Sequence, residues 1–268
     1  MSNERPTVVS PKSEEFWRKF FEQGGDTYRR MRWVFKQLPA EPRCLMCGAP
    51  FTGPGAPLMR VIGKRPSNAN PNWCTGCFDY MTKHRGGAEV EGAFLFADIR
   101  GSTALAERLS SSEYHALLER YFATATSAVF KYDGFVDKFV GDELVALFYP
   151  LLTGERFTER AVDAAREVLR ATGHGDPGGP WVPVGVGVHS GLAWFGSVGE
   201  GTHVEMTAVG DAVNVAARLA AAAEAGEILV SADAAAASDL DPTLERHALE
   251  LKGKELPTDV VSIRVTPD

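Results

Sequence analysis

The chain has 268 residues, 44% of them hydrophobic and 24% charged, with a net charge of −7, a balance that excludes disordered and fibrous classes and fits a globular protein. No stretch approaches the roughly 18 uninterrupted apolar residues of a membrane span, and the polar start MSNERPTVVSPKSEEF lacks the apolar segment of a secretory signal; a cytoplasmic protein is expected. Residues 1–90 carry an excess of six positive charges and residues 91–268 an excess of thirteen negative ones, so the basic part is either ordinarily solvated or docks on an acidic body, a partner or nucleic acid.

The first elements are helical. Pro11 and Ser13 precede EEFWRKFFEQ, where Phe16, Phe20 and Phe21 recur at helical spacing and Glu14 and Glu15 sit where a helix N-terminus favours negative charge. Gly24 and Gly25 interrupt this run, Asp26 suits the cap of a second helix through about Leu38, and Pro39 stops it. The aromatic stripe reads as packing surface; a membrane-surface helix is the weaker reading because of the acidic residues. This N-terminal helical segment is assigned to residues 1–40.

Residues 41–88 form a second module. All four cysteines lie in it, as Cys44-Leu-Met-Cys47-Gly and Cys74-Thr-Gly-Cys77, with 26 residues between the pairs. Two CxxC pairs present four thiolates tetrahedrally, and the glycine after Cys47 lets backbone amides turn toward sulfur, the usual arrangement of a structural zinc ribbon. Disulfides are disfavoured in a cytosolic chain; an iron–sulfur cluster is the lesser alternative to zinc. Four thiolates leave no open coordination position, and the loop FTGPGAPLMRVIGKRPSNANPNW has too few apolar residues to fold without a clip, so the metal has a folding role. Arg60, Lys64, Arg65 and Trp73 allow nucleic-acid binding as a disfavoured rival.

From Gly92 onward strands and helices alternate: AFLFADI, helices from about Ser102 to Tyr132, GFVDKFVGDELVALFYP with a turn at Gly141 and Asp142, and a helix over Thr158–Ala171. Then come strand-like VPVGVGVHSG and AWFGSVG, a helix from Asp211 to about Ala223, the strand EILVS, and paired strands near HALELK and VVSIRV. Helices alternating with both hairpins and crossovers imply an α+β sandwich of helices on a mostly antiparallel sheet. Two aspartates, Asp98 in FLFADIRGST and Asp142 in DKFVGDELVALF, each stand beside a tight glycine-containing turn after an apolar run. Such a pair of hard oxygen donors suits magnesium or manganese, whereas either alone reads as a backbone cap. Asn214 and Arg218, four residues apart, project from one face of their helix.

FLFADIRGST resembles the first metal-binding motif of the class III nucleotidyl cyclases, which close nucleoside triphosphates into 3′,5′-cyclic monophosphates. DKFVGDE, GVHSG, TAVGDAVNVAARL, AGEILVS and LKGKELP follow in the family's order. The resemblance covers residues 89–268 and implies a ferredoxin-like class III cyclase domain. It implies two Mg²⁺ or Mn²⁺ ions held by Asp98, Asp142 and the carbonyl of Ile99. One lowers the pKa of the ribose 3′-hydroxyl and the other neutralises the pyrophosphate leaving group. Asn214 then holds the ribose, Arg218 stabilises charge on the α-phosphate, and Lys252 or Lys254 contacts the terminal phosphates. Glu143 is either a third acid near the metals or faces solvent.

Lys138 matches the family's base-reading lysine, and Thr207, seven residues before Asn214, the second base-reading position. An ammonium donates, as adenine N1 requires, and a hydroxyl accepts from the exocyclic amine. Guanine and uracil present a donor instead, and sites built on such pairing reject a mismatch by roughly 10⁴-fold. ATP is therefore expected, while cytosine offers the same edge as adenine and leaves CTP open. Threonine where many members carry aspartate resembles the bacterial subgroup that includes bicarbonate-responsive adenylyl cyclases. The family's composite sites imply a homodimer, with the aspartates of one chain facing Lys138, Thr207, Asn214 and Arg218 of another. The expectation is an adenylyl cyclase making cyclic AMP and pyrophosphate in cyclic-nucleotide signalling. Its rivals are a cyclase acting on CTP or another nucleotide, and a catalytically silent nucleotide sensor with a nucleic-acid-binding ribbon.

Overall fold

A computed structural model describes residues 11–23, 25–38, 42–68, 71–199, 205–251 and 257–265. The chain divides into two compact units, residues 1–90 with 194–208, and residues 91–193 with 209–268.

The first unit begins with α1 (Pro11–Gln23) and α2 (Gly25–Lys36). Trp17 and Phe21 form the buried side of α1, while Phe16 is 40% exposed and stacks on His84 instead. The apolar stripe therefore centres one residue further along than Phe16 implied. Arg32 of α2 is almost fully buried, and its guanidinium donates to the carbonyls of Leu45 and Met46, which satisfies a charge that would otherwise be costly to bury. Between the cysteine pairs the chain forms α3 (Ala56–Val61), and α4 (Thr75–Lys83) starts within the second pair, with Cys74 as its N-cap. The Gly/Pro content hides these short helices from the sequence pattern.

An eight-stranded sheet is built from β1 (Gly87–Ile99), β2 (Phe135–Val140), β3 (Glu143–Phe148), β4 (Val184–Val198), β5 (Glu205–Val209), β6 (Glu227–Ser231), β7 (Arg246–Leu249) and β8 (Thr258–Arg264). Strands β1, β4 and β5 each begin or end in the first unit. The order is β2-β3-β1-β4-β6-β8-β7, with β5 paired to β4. β1 with β3, β2 with β3, β6 with β8 and β7 with β8 are antiparallel. β4 and β6 are parallel because a helix, α9 (Asp211–Ala222), carries the chain back between them.

The other helices are α5 (Ser102–Arg108), α6 (Ser111–Lys131), α7 (Pro150–Thr153), α8 (Phe157–Ala171) and α10 (Ala232–Ala237). Ser110 and Glu113 form a reciprocal capping box that starts α6. Phe94, Leu95, Leu144, Leu147, Val186 and Val230 lie in the buried core. Two glycines set how closely α9 approaches: a Cβ on Gly187 would stand 2.2 Å from the Ala220 nitrogen and 2.5 Å from the Ala216 oxygen, and one on Gly185 2.8 Å from the Ala223 oxygen. Alternation along β4 turns both glycines to the helix while Val184, Val186 and Val188 are buried.

Candidate active site

Strand β1 ends at Asp98 and Ile99, and Asp98 pairs across the ladder with Glu143. Val140 pairs with Glu143, leaving Gly141 and Asp142 as a two-residue hairpin loop. Gly141 has φ +63° at the first loop position, the left-handed conformation that a type II′ turn needs there and that glycine adopts without strain. The strand end and the turn tip thereby converge: the Asp98 and Asp142 carboxyls are close enough to interact electrostatically.

This corner is electrostatically tense. Burial raises the Asp98 pKa to about 6; Arg100 opposes the shift and Asp142 adds to it. Burial, with Asp98 and Asp142 adding and Arg100 opposing, pushes Glu143 to about 7. Tyr121 of α6 is fully buried behind the corner, and its hydroxyl donates to the Ala97 carbonyl at 2.7 Å. Asp142 Oδ2 is buried and has no hydrogen-bond partner among the described residues. Close carboxyls with an orphaned oxygen fit a hard divalent cation, which would relieve their repulsion and complete the oxygen's coordination.

Arg100 and Glu143 are the members that the sequence reading missed or left open. The Arg100 guanidinium pairs with Asp98 and donates to the carbonyls of Ala221 at 3.1 Å and Ala223 at 3.4 Å. It ties the acid to the C-terminal end of α9, where free carbonyls favour a cation. Its signal was its place between Asp98 and Gly101 in the same motif.

Lys138 and Asn214 lie elsewhere on the second unit's framework. A β-bulge between Val136 and Lys138 leaves Asp137 as the extra residue and pairs Lys138 with Val145, re-aiming the lysine, whose Nζ stands 3.6 Å from the Asp137 carboxylate. Asn214 is exposed and Arg218 half-buried on α9, one turn apart. Arg218 Nη1 is buried without a hydrogen-bond partner among the described residues, a donor suited to an anion. Thr207 is buried on β5 within the first unit. Lys252 and Lys254 fall outside the described residues.

The four cysteines converge, their sulfurs all within 4.8 Å of one another. Cys47 Sγ and Cys74 Sγ are 3.8 Å apart, about the edge of a tetrahedron with ~2.3 Å metal–sulfur bonds. Backbone amides point at sulfur, Cys74 N to Cys44 Sγ at 3.2 Å and Cys77 N to Cys74 Sγ at 3.4 Å. Burial works against the Lys64 ammonium, yet the surrounding cysteine sulfurs outweigh it and hold its pKa above the usual value. The cluster is positioned to bind a metal, and an all-sulfur set with amide and ammonium donors fits a soft or borderline cation.

Residues 88–261 match the adenylate and guanylate cyclase catalytic domain. A protein of Anabaena cylindrica named adenylate cyclase is 35% identical over 130 residues, which cover 47% of this chain and 26% of that protein. Among solved structures, the adenylyl cyclase CyaB from P. aeruginosa is 26% identical with a TM-score of 0.58, covering 66% of this chain and 95% of that one. The guanylyl cyclase Cya2 has a TM-score of 0.61 at 23% identity, covering 66% and 93%, a likeness of fold alone. The chain spans about a quarter of that Anabaena protein and a third of a Mycobacterium bovis relative.

Proposed function

The chain belongs to the adenylate and guanylate cyclase catalytic domain family, and on that premise we propose that it is an adenylyl cyclase converting ATP to 3′,5′-cyclic AMP and pyrophosphate at composite sites of a homodimer. The observation that carries this reading is the convergence of Asp98 and Asp142, with its orphaned carboxylate oxygen. Asp98, Asp142 and the Ile99 carbonyl would hold two magnesium or manganese ions, which when bound supply Lewis-acid activation of the 3′-hydroxyl and charge neutralisation on the triphosphate.

The chain's own residues do the rest. Arg100 keeps the Asp98 carboxylate oriented, and the Tyr121 hydroxyl holds the end of β1 through the Ala97 carbonyl. Arg218 offers an unpartnered N–H to the α-phosphate as negative charge grows there, and Asn214, one turn earlier, orients the ribose. The 3′-oxygen forms its bond to the α-phosphorus as its proton passes to solvent, and the bond from the α-phosphorus to the oxygen bridging the β-phosphate breaks, its electrons leaving with pyrophosphate. Lys138 donates to adenine N1 while the Thr207 hydroxyl accepts from the exocyclic amine. Lys252 is assigned to the terminal phosphates. The sulfur cluster is read as a structural zinc site that folds the first unit and takes no part in the chemistry.

Incubating the purified protein with ATP, GTP, CTP and UTP in turn, each with manganese, tests the reading. Cyclic AMP as the dominant product supports it. Cyclic CMP as the dominant product would retain the hydrogen-bond logic and overturn the substrate, and nucleotide binding without any cyclic product would point to a silent sensor.

A further inference from the structure

The cysteine module carries an exposed apolar tip that neither the cyclase reading nor the metal cluster uses. Helix α3 is anchored by Ala56 and Met59, which are buried, and turns its other side outward. Val61 is 84% exposed, Leu58 61% and Ile62 52%. The turn that follows is held firmly: Lys64 N donates to the Met59 carbonyl at 2.8 Å, Thr75 Oγ1 to the Gly63 carbonyl at 2.6 Å, and Thr75 N to the Arg65 carbonyl at 2.8 Å. Three aliphatic side chains are thus presented to solvent on a fixed, convex turn.

Charge selects the occupant. Residues 42–78 contain Arg43, Arg60, Lys64 and Arg65 and no Asp or Glu. Arg43 is turned inward onto the carbonyls of Phe35 and Gly48, and Lys64 faces Cys47 Sγ. Arg60 and Arg65 remain exposed beside the tip, and neither has an ion-pair partner among the described residues. A second copy meeting this patch about a two-fold axis would bring the same arginines face to face. Nucleic acid would leave the aliphatic side chains with nothing to bury against. Aliphatic side chains ringed by guanidinium groups match a lipid surface, the chains entering the acyl boundary and the arginines meeting headgroup phosphates.

We propose that the α3 tip docks this chain peripherally on an anionic membrane surface, with Leu58, Val61 and Ile62 inserting and Arg60 and Arg65 binding lipid phosphate. Among the described residues no helix is long and apolar enough to cross a membrane, so this contact would act as a surface anchor. It does not depend on which nucleotide the second unit uses.

Co-sedimentation of the full chain with vesicles tests this, using phosphatidylcholine alone or mixed with phosphatidylserine. The protein is expected to pellet with the serine-containing vesicles and to be released by salt. Val61→Asp with Ile62→Asp, both at exposed positions, should abolish pelleting while leaving metal content and circular dichroism unchanged. Arg60→Gln with Arg65→Gln should weaken it by roughly thirtyfold, about 2 kcal/mol. Wild-type protein that stays in the supernatant, or an aspartate variant that pellets as well as wild type, would overturn the proposal. So would a change in oligomeric state on Val61→Asp in the absence of lipid, or binding that duplex DNA supports and vesicles do not.

Discussion

Replacing Gly187 by alanine should lower turnover in the proposed cyclase by displacing α9, although Gly187 itself lies on β4. The new Cβ would stand 2.2 Å from the Ala220 nitrogen, 2.5 Å from the Ala216 oxygen and 2.8 Å from the Leu219 carbonyl carbon. All three are backbone atoms, so no rotamer change relieves the clash, and α9 must retreat by roughly 1 Å to reach ordinary contact distance. Overpacking of this kind costs about 1–3 kcal/mol, and a displacement of about 1 Å in a positioning element costs roughly 10²-fold in turnover. Because α9 carries both Asn214 and Arg218, the loss should fall mainly on kcat. Gly178→Ala is the matched control, since nothing lies within 4 Å of its Cβ. Thermal unfolding and manganese-supported cyclic AMP formation, measured side by side, read both effects. If Gly187→Ala melts and turns over like wild type, the close seating of α9 on β4 is not what positions Asn214 and Arg218.

Three further outcomes are expected. Elemental analysis should find one zinc per chain, and Cys77→Ser or strong chelation should unfold the first unit, seen as loss of most of the near-ultraviolet tryptophan signal, since four of the five tryptophans lie in that unit; a metal-free protein that keeps that signal would remove the cluster's folding role. Burial holds the His174 pKa below its ordinary value, and its Nε2 accepts from Val184 N at 3.0 Å. The unfolded chain then binds the extra proton more readily, so stability is complete above about pH 6.5 and falls as pH drops below it; His174→Gln should flatten that fall, and an unchanged pH profile would contradict the assignment. Arg100→Ala should lower manganese affinity and turnover together by freeing the Asp98 carboxylate, whereas Arg100→Lys should recover part of both; full activity in Arg100→Ala would leave that arginine with a packing role only.

What the sequence made legible followed strong periodic or spaced signals. The helix over Thr158–Ala171, the strand EILVS and the strand near VVSIRV appear within a residue or two of α8, β6 and β8, while the strand near HALELK appears as the shorter β7. β1 starts six residues before AFLFADI, because Glu89 and Glu91 are exposed on alternate positions and break the apolar run that marked the strand. VPVGVGVHSG and AWFGSVG prove to be one strand, β4, since Gly191 at the end of the first run reads as a break although the strand continues through it. The hairpin at Gly141 and Asp142 was legible from its turn chemistry. The bulge at Asp137 that re-aims Lys138 was not, because register is settled by packing on the neighbouring strand and leaves no local signature. Likewise the pairing of Arg100 with Asp98 and the end of α9 joins residues more than 120 positions apart, a distance that no spacing rule reaches.

In the proposed dimer two acids of one chain work against the arginine of the other. Asp142→Ala and Arg218→Ala chains, each inactive alone, should recover activity when mixed and re-equilibrated as dimers, approaching roughly a quarter of wild type because half the dimers are mixed and each of those holds one intact site of two. A verified mixed dimer that forms no cyclic nucleotide would contradict the shared site.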